Sequence, residues 1–348
     1  VTATTRAFTL VRRPDGPLRS ADLAIAEHPL PPVTDGDVLI RNTWLSIDPS
    51  IRIRLAGTTP AGYLPPFAIG EPLAGLALGV VQDSRSSDYP VGQLVSHMYG
   101  YRDYAVVRPG GSTIGGYGAL ARVDPQDFPV QWFLGPLGSS GLTAYAGVVS
   151  ILGITSQDTI WVSAAAGAVG SLVAQLARVR GATVIGSAGS STKVDHLLRD
   201  LRLDAAFDYH RGPLVDLIDR AAPEGISAYF DSVGGDHLTA ALNALRPGGR
   251  VALCGAISGY DTAESPPGPN NLFQLVSKGI RMEGYRAGSF NHLMADMQAE
   301  IGAHLTTGRM VFGEHVFHGL EQAGNALISM LGGYNTGKTL VNLDGEGE

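Results

Sequence analysis

Apolar residues follow two different rhythms along this chain. From residue 1 to about 127 they come in short β-like runs: Val38-Leu39-Ile40, Gly79-Val80-Val81, Gln93-Leu94-Val95 and Tyr104-Ala105-Val106-Val107. Turn formers part them, as at Pro31-Pro32, Asp35-Gly36 and Pro109-Gly110-Gly111. Many short strands with turns between them predict an irregular antiparallel barrel. The middle of the chain instead alternates strand and helix. Strand-like runs fall at 160–163, 183–186, 205–208, 228–231, 250–253 and 280–283. Between the first two, Val169, Leu172, Val173, Leu176 and Val179 recur at helical spacing and predict an amphipathic helix. Apolar strands joined by helices predict a parallel sheet covered on both faces, so the class is α/β. Residues 264–271, with three prolines, read as a loop, and the acidic end from Asp344 to Glu348 as a frayed tail.

Composition narrows the picture. A length of 348 residues suggests two domains, and 44% hydrophobic against 16% charged residues is globular rather than disordered. A net charge of −7 gives no electrostatic case for nucleic acid or an anionic membrane as partner. The only cysteine is Cys254, which rules out an internal disulfide and a Cys-rich zinc site. His315-x-x-His318 reads as a surface or core pair, not a metal site. No apolar run is long enough to span a membrane, and the early arginines do not make a signal pattern, so the cytoplasm is the expected location.

The first candidate chemistry follows the run at 160–163. Ala164-x-x-Gly167-x-x-Gly170 then opens the helix, giving the dinucleotide-binding fingerprint with alanine in its first glycine position. Gly167 lets the backbone approach a pyrophosphate, Gly170 lets helix and strand pack closely, and the helix start offers N–H groups and positive dipole to phosphates. The next strand ends in Ser187-Ala188-Gly189-Ser190-Ser191-Thr192-Lys193, with no carboxylate to hold a free ribose 2′-hydroxyl. Ser190, Ser191 and Lys193 can instead donate to a 2′-phosphate, which favours NADPH. Taken alone, Lys193 reads better as a solvated helix residue; the missing acid and the neighbouring donors turn the reading towards phosphate.

These segments resemble the zinc-independent medium-chain dehydrogenase/reductases that include prostaglandin reductases, plant double-bond reductases and bacterial curcumin reductases. The resemblance runs from about Leu39 to Leu343. It is carried by Leu45-Ser46-Ile47-Asp48-Pro49, Gly141-Leu142-Thr143-Ala144-Tyr145, residues 162–171, Val233-Gly234-Gly235, residues 254–260 and Asn335-Thr336-Gly337-Lys338. It implies a GroES-like irregular β-barrel catalytic domain from residues 1–127 and 306–348. A Rossmann domain at 128–305 would bind NADPH, and the assembly would be a homodimer joined through Rossmann edges. It places Lys193 and Tyr209 at the 2′-phosphate, and Gly167, Ala168 and Val169, with Gly170, at the pyrophosphate. Cys254 and Ile257 fall beside adenosine and ribose, with Ser232 where asparagine is usual before Val-Gly-Gly. Tyr285 and Ala287 line the nicotinamide, Asn335 approaches it, and Thr143 lies near the cofactor.

The resemblance further implies reduction of the C=C bond of α,β-unsaturated ketones or aldehydes, with hydride going to the β-carbon. Charge then builds on the carbonyl oxygen, which calls for a hydrogen-bond donor rather than a nucleophile. Tyr260 is the catalytic candidate; its other reading is a loop residue that shapes the pocket. Asp48 reads as shaping the turn before Pro49. Ser50, Ser139 and Ser140 depart from the family pattern and leave the substrate open. Quinone reduction, tailoring of one natural product and non-catalytic NADPH binding stay open as alternatives.

Overall fold

The computed structural model describes residues 3–111, 120–262 and 267–344. Part of the expected loop, 264–266, and the tail from 345 lie outside the described residues. Two compact units are present, residues 1–134 with 314–348, and residues 135–313. The sequence pattern divides the chain a few residues earlier on each side. Leu134 lies beyond that first break because it is buried with Leu78, Val123 and Leu340 of the first unit.

The first unit opens with β1 (Thr4–Leu10) paired antiparallel to β2 (Leu23–Pro29). Then follow β3 (Val38–Ser46), the short helix α1 (Ser50–Arg54), β4 (Ala77–Ser84), β5 (Leu94–His97), β6 (Tyr104–Val107) and β7 (Ala121–Arg122). Its closing stretch supplies β14 (Glu314–His318), α9 (Ala323–Leu331) and β15 (Lys338–Asn342). The sheet runs β14-β15-β3-β4-β5-β7, with β6 also on β3, and all pairs but β14–β15 are antiparallel. Register shifts at Leu39/Ile40 and Asn42/Trp44 bend β3, so that it can pair with three neighbours. Leu10, Leu45, Leu55, Leu73, Tyr101 and Val341 centre the largest core of this unit.

The second unit begins with α2 (Ser139–Tyr145), which passes into a π-helical turn at Ala146–Ile151. Strands β8 (Thr159–Val162), β9 (Thr183–Ala188), β10 (Ala205–Asp208), β11 (Ile226–Asp231), β12 (Leu245–Leu253) and β13 (Arg281–Gly284) follow. Between or after them come α3 (Ala168–Val179), α4 (Ser191–Arg199), α5 (Leu214–Ala221), α6 (Gly235–Ala244), α7 (Phe273–Lys278) and α8 (Met294–Thr306). The sheet order is β10-β9-β8-β11-β12-β13 and every pair is parallel. Strand order therefore reverses between β8 and β11, and ligands of such sheets bind outside the strand ends at that point. Trp161 fixes the centre of this core. It is fully buried, its ring lies 4.8 Å from Tyr229 and 5.7 Å from Phe207, and its Nε1 donates to Ser187 Oγ at 3.0 Å. Among the described residues no helix is long and apolar enough to cross a membrane.

Candidate active site

Strand β8 runs into a tight turn in which the Gly167 N–H donates to the Ala164 carbonyl at 2.9 Å. Ala164 holds φ of 48°, the left-handed region that costs an L-residue free energy and a glycine little. A Cβ on Gly170 would stand 2.3 Å from Ala164 O and 2.9 Å from Ala165 Cα. Only glycine lets α3 lie this close to the turn. At Gly167 the same carbonyl would be 3.3 Å away. Ala168, Val169 and Gly170 form the first turn of α3, where N–H groups have no carbonyl one turn earlier. They present donors and positive dipole to an anion.

The neighbouring turn follows β9. Ser190 Oγ accepts the Lys193 N–H at 3.3 Å and caps α4. Tyr209, just beyond β10, leans over the same turn, for a Cβ on Gly189 would lie 2.7 Å from its phenolic oxygen. Lys193 is half-buried, and desolvation lowers its pKa. Desolvation raises that of Tyr209, with Asp208 adding to the effect. Ser190, Lys193 and Tyr209 thus gather at one turn.

Across the reversal point, β11 ends in Asp231, which is wholly buried. Its Oδ1 accepts from Ser163 Oγ at 3.3 Å, and at 2.9 Å from Tyr229 Oη and the N–H groups of Val233 and Gly234. Its Oδ2 has no partner among the described residues. Desolvation raises this carboxyl's pKa, opposed by those bonds. Ser232 N–H donates to Ser163 Oγ at 2.9 Å, which ties this loop to β8. The loop after β12 is bonded in turn to the loop after β11: Cys254 N–H to Asp231 O at 2.8 Å, Ile257 N–H to Ser232 O at 3.0 Å, and Ser258 N–H to Val233 O at 3.2 Å. Burial pushes the Cys254 thiol up to about 12, which keeps it protonated.

Tyr260 closes that loop. Its phenolic oxygen accepts the Ala256 N–H at 3.0 Å, and a Cβ on Gly255 would stand 3.0 Å from it. Desolvation raises its pKa, opposed by the Ala256 bond. The phenol is therefore protonated at neutral pH, and because it accepts from Ala256 its own hydrogen is not used in that bond. Tyr285 N–H reaches Leu253 O at 3.3 Å and its hydroxyl donates to Thr143 O at 2.6 Å. The Thr143 hydroxyl donates within its own helix to Ser139 O at 2.7 Å. Ala287 is buried at the start of a 3-10 turn. Asn335 belongs to the first unit, where its Nδ2 donates to Gly337 O at 3.1 Å just before β15. Every other expected site residue lies in the second unit.

Two family models match, "N-terminal domain of oxidoreductase" over residues 6–114 and "Zinc-binding dehydrogenase" over residues 168–301. An NADP(+)-dependent 2-alkenal reductase of Nicotiana tabacum is 37% identical over 316 residues, covering 90% of each chain. An NADPH-dependent curcumin reductase of Escherichia coli K12 is 31% identical over 346 residues, covering 98% of this chain and 97% of the relative. The crystal structure of CurA from Vibrio vulnificus in complex with NADPH superposes with a TM-score of 0.89 at 31% identity, covering 98% and 99% of the two chains. The chain belongs to the medium-chain dehydrogenase/reductase family. It falls among the NADP-dependent alkenal, curcumin and prostaglandin reductases, and it is an oxidoreductase of that group.

The two units are the Rossmann sheet and the antiparallel-rich N-terminal domain of this family. NADPH fits the residues present. Gly167 leaves the turn without a side chain, the first N–H groups of α3 have no helical partner and can take a diphosphate, and a cationic side chain stands by the second turn. Among the described residues no group of three or more His, Cys, Asp and Glu could hold a metal ion. His315 packs on Phe317 at 5.0 Å between ring centres.

Two anchoring residues escaped the sequence reading. Asp231 was signalled only as a charged residue ending an apolar strand. Lys338 was quoted as part of a motif, yet it is 2% exposed and donates to Ile47 O at 3.0 Å and Asp48 Oδ1 at 2.7 Å. Ser46 Oγ donates to Asp48 Oδ2 at 2.5 Å, so Asp48 joins β15 to the segment leading into α1.

Proposed function

We propose that this chain is an NADPH-dependent, metal-independent reductase of the C=C bond of α,β-unsaturated ketones or aldehydes. The observation that carries this reading is Tyr260, whose protonated phenol is held by Ala256 above Gly255, on a loop bonded to the loop at the strand reversal. Bound NADPH supplies a hydride to the substrate β-carbon. Tyr260 donates a hydrogen bond to the carbonyl oxygen as it gains enolate charge. The accepted Ala256 N–H makes the phenol a stronger donor. Asp231 orients the loop by holding Val233 and Gly234, and so keeps Ser232, Ile257 and Tyr260 in register. On the cofactor, Gly167 to Gly170 bind the pyrophosphate, and Ser190, Lys193 and Tyr209 bind the 2′-phosphate. Ser232, Cys254, Ile257, Thr143, Tyr285 and Ala287 line the ribose and nicotinamide.

The test is NADPH oxidation with a panel of enones, enals and quinones. Turnover of enones or enals with quinones inert supports the reading; quinone turnover alone would replace it. No turnover despite tight NADPH binding would turn it into a non-catalytic binding protein. Tyr260→Phe should lower kcat about 10-fold to 100-fold with KM for NADPH unchanged. Lys193→Ala should raise KM for NADPH far more than for NADH.

The proposed assembly is a homodimer acting in the cytoplasm, where NADPH is at hand. Among the described residues β13 is an unpaired edge of the sheet, and α7, which packs on β12 and α6, presents Phe273 and Val276, 75% and 73% exposed. An unpaired edge next to apolar side chains suits pairing with a second copy about a twofold axis. Sedimentation of the purified chain, wild type against Phe273→Glu, tests this.

A further inference from the structure

A cleft of about 410 Å³ opens on the second unit at the far end of α3 from the fingerprint turn. It is the right size for a small metabolite. Three arginines line it: Arg178, partly buried, and Arg202 and Arg309, both exposed. Among the described residues the side chains of Arg202 and Arg309 make no hydrogen bond or ion pair. Arg178 donates once, to Arg309 O at 2.8 Å, and its Nε is buried without a partner. The one carboxylate at the cleft, Asp200, is bonded to His196 at 2.6 Å and pairs with none of the three arginines. A buried donor left unmade, such as Arg178 Nε, costs stability. The last turn of α3 adds the negative end of its dipole, which Arg178 offsets.

The cleft is also held rigidly. Gln175, 1% exposed, clamps Val311 by two bonds: Nε2 to Val311 O at 2.9 Å, and Val311 N–H to Oε1 at 2.8 Å. Arg202 sits at φ of 56° just after α4, a left-handed position that glycine usually takes at helix ends. Backbone bonds on both sides fix it there, Leu201 N–H to His196 O at 3.1 Å and Leu203 N–H to Leu197 O at 3.0 Å. An arginine in a glycine position costs conformational energy that its exposed side chain does not recover within the chain.

We propose that this cleft is a second ligand site, taking a small phosphorylated molecule. Guanidinium forks match the paired oxygens of a phosphoryl group. Val179 and Val311 give apolar walls for the organic part, and Asp200 can accept from a hydroxyl. None of these residues belongs to the dinucleotide site, so this reading stands or falls apart from that one.

The test is calorimetric titration of the full chain, saturated with NADP+ to fill its first phosphate site. The probes are ribose 5-phosphate and inorganic phosphate. Ribose 5-phosphate should bind with Kd below about 1 mM and at least about tenfold more tightly than inorganic phosphate. Arg309→Gln and Arg202→Gly should each weaken it about tenfold or more, with NADPH-dependent turnover retained. Arg202→Gly should also raise Tm of the unliganded chain by about 2 °C by removing the strain, which shows that the variant folds. Lys193→Ala should leave ribose 5-phosphate binding unchanged. No binding at 10 mM (about ten times the expected ceiling), equal affinity for the two probes, or binding that depends on Lys193 and not on the arginines would overturn the proposal. So would a Glu-rich peptide that binds where ribose 5-phosphate does not.

Discussion

Both units bury aspartates, but among the described residues only the first also buries cations. The first buries cations, Arg52, Arg54 and Lys338, and bonds them to backbone carbonyls: Arg52 to Gly16, Arg54 to Pro65 and Ala74, Lys338 to Ile47. The second has no lysine or arginine among its described buried residues, and holds two aspartates, Asp158 and Asp231. Each aspartate receives at least one backbone N–H, as do Asp22 and Asp37, which are buried in the first unit. The extra cations of the first unit follow from architecture. A parallel sheet satisfies its own backbone, leaving only loop N–H groups at the strand ends, and an aspartate accepts those. An irregular barrel leaves carbonyls of long loops buried, and only long cationic side chains reach them.

Acid should override this contrast, because each unit also buries a neutral imidazole. Burial, with Arg102 adding to it, lowers His97 from 6.5 to about 3; burial lowers His237 from 6.5 to about 4. His237 is packed by Trp161 and Tyr209, while Asp236 favours its charged form and His210 opposes it. Below pH 6.5 the unfolded chain takes up protons that the folded imidazoles refuse. Stability from this source is therefore complete above pH 6.5 and falls as pH drops towards 4 and then 3. His237 alone should lose about 3 kcal/mol across its window. Urea melts from pH 7 to 4.5 check this, and His237→Phe should flatten the slope by about one proton. An unchanged slope would remove His237 from the account.

Next in size, Lys338→Met should cost about 3 kcal/mol, since it strips a buried cation from two acceptors and leaves Asp48 without its counter-charge. The half-exposed Asp48 limits the loss. The effect should fall on the first unit's transition and spare NADPH affinity. Gly170→Ala is the counterpart in the second unit. It forces a methyl against the Ala164 carbonyl, and should cost about 2 kcal/mol and weaken NADPH more than about tenfold in a fluorescence titration. Smallest is Ala164→Gly, which relieves the left-handed alanine but loosens the unfolded chain. A net gain of about 0.5 kcal/mol, read as a small rise in Tm, is expected.

The contrast also explains what could be read in advance. Pattern alone placed β10 and nearly all of α3, because a helix between parallel strands must show an apolar stripe. It did not place β1, β2 or β14. In β14 the residues Glu314, His315 and His318 interrupt the apolar rhythm, and that strand is formed by pairing with β15. The arginine bonds that organise the first unit join residues 11 to 36 positions apart, and nothing in a local window encodes them. At the site, glycine spacing announced the turn after β8, and a missing acid near Lys193 pointed to a phosphate. Asp231 was hidden because its work is backbone bonding after β11, visible only once the loops after β8, β11 and β12 are together.

One consequence is optical. The chain has three tryptophans; Trp44 and Trp132 belong to the first unit, and both are partly exposed. Trp161 is sealed in the second and hydrogen-bonded to Ser187. Its emission should be blue-shifted relative to theirs and shift to the red only when the parallel sheet opens. A single intrinsic chromophore therefore lets the unfolding of one unit be followed separately from that of the other, without any added label.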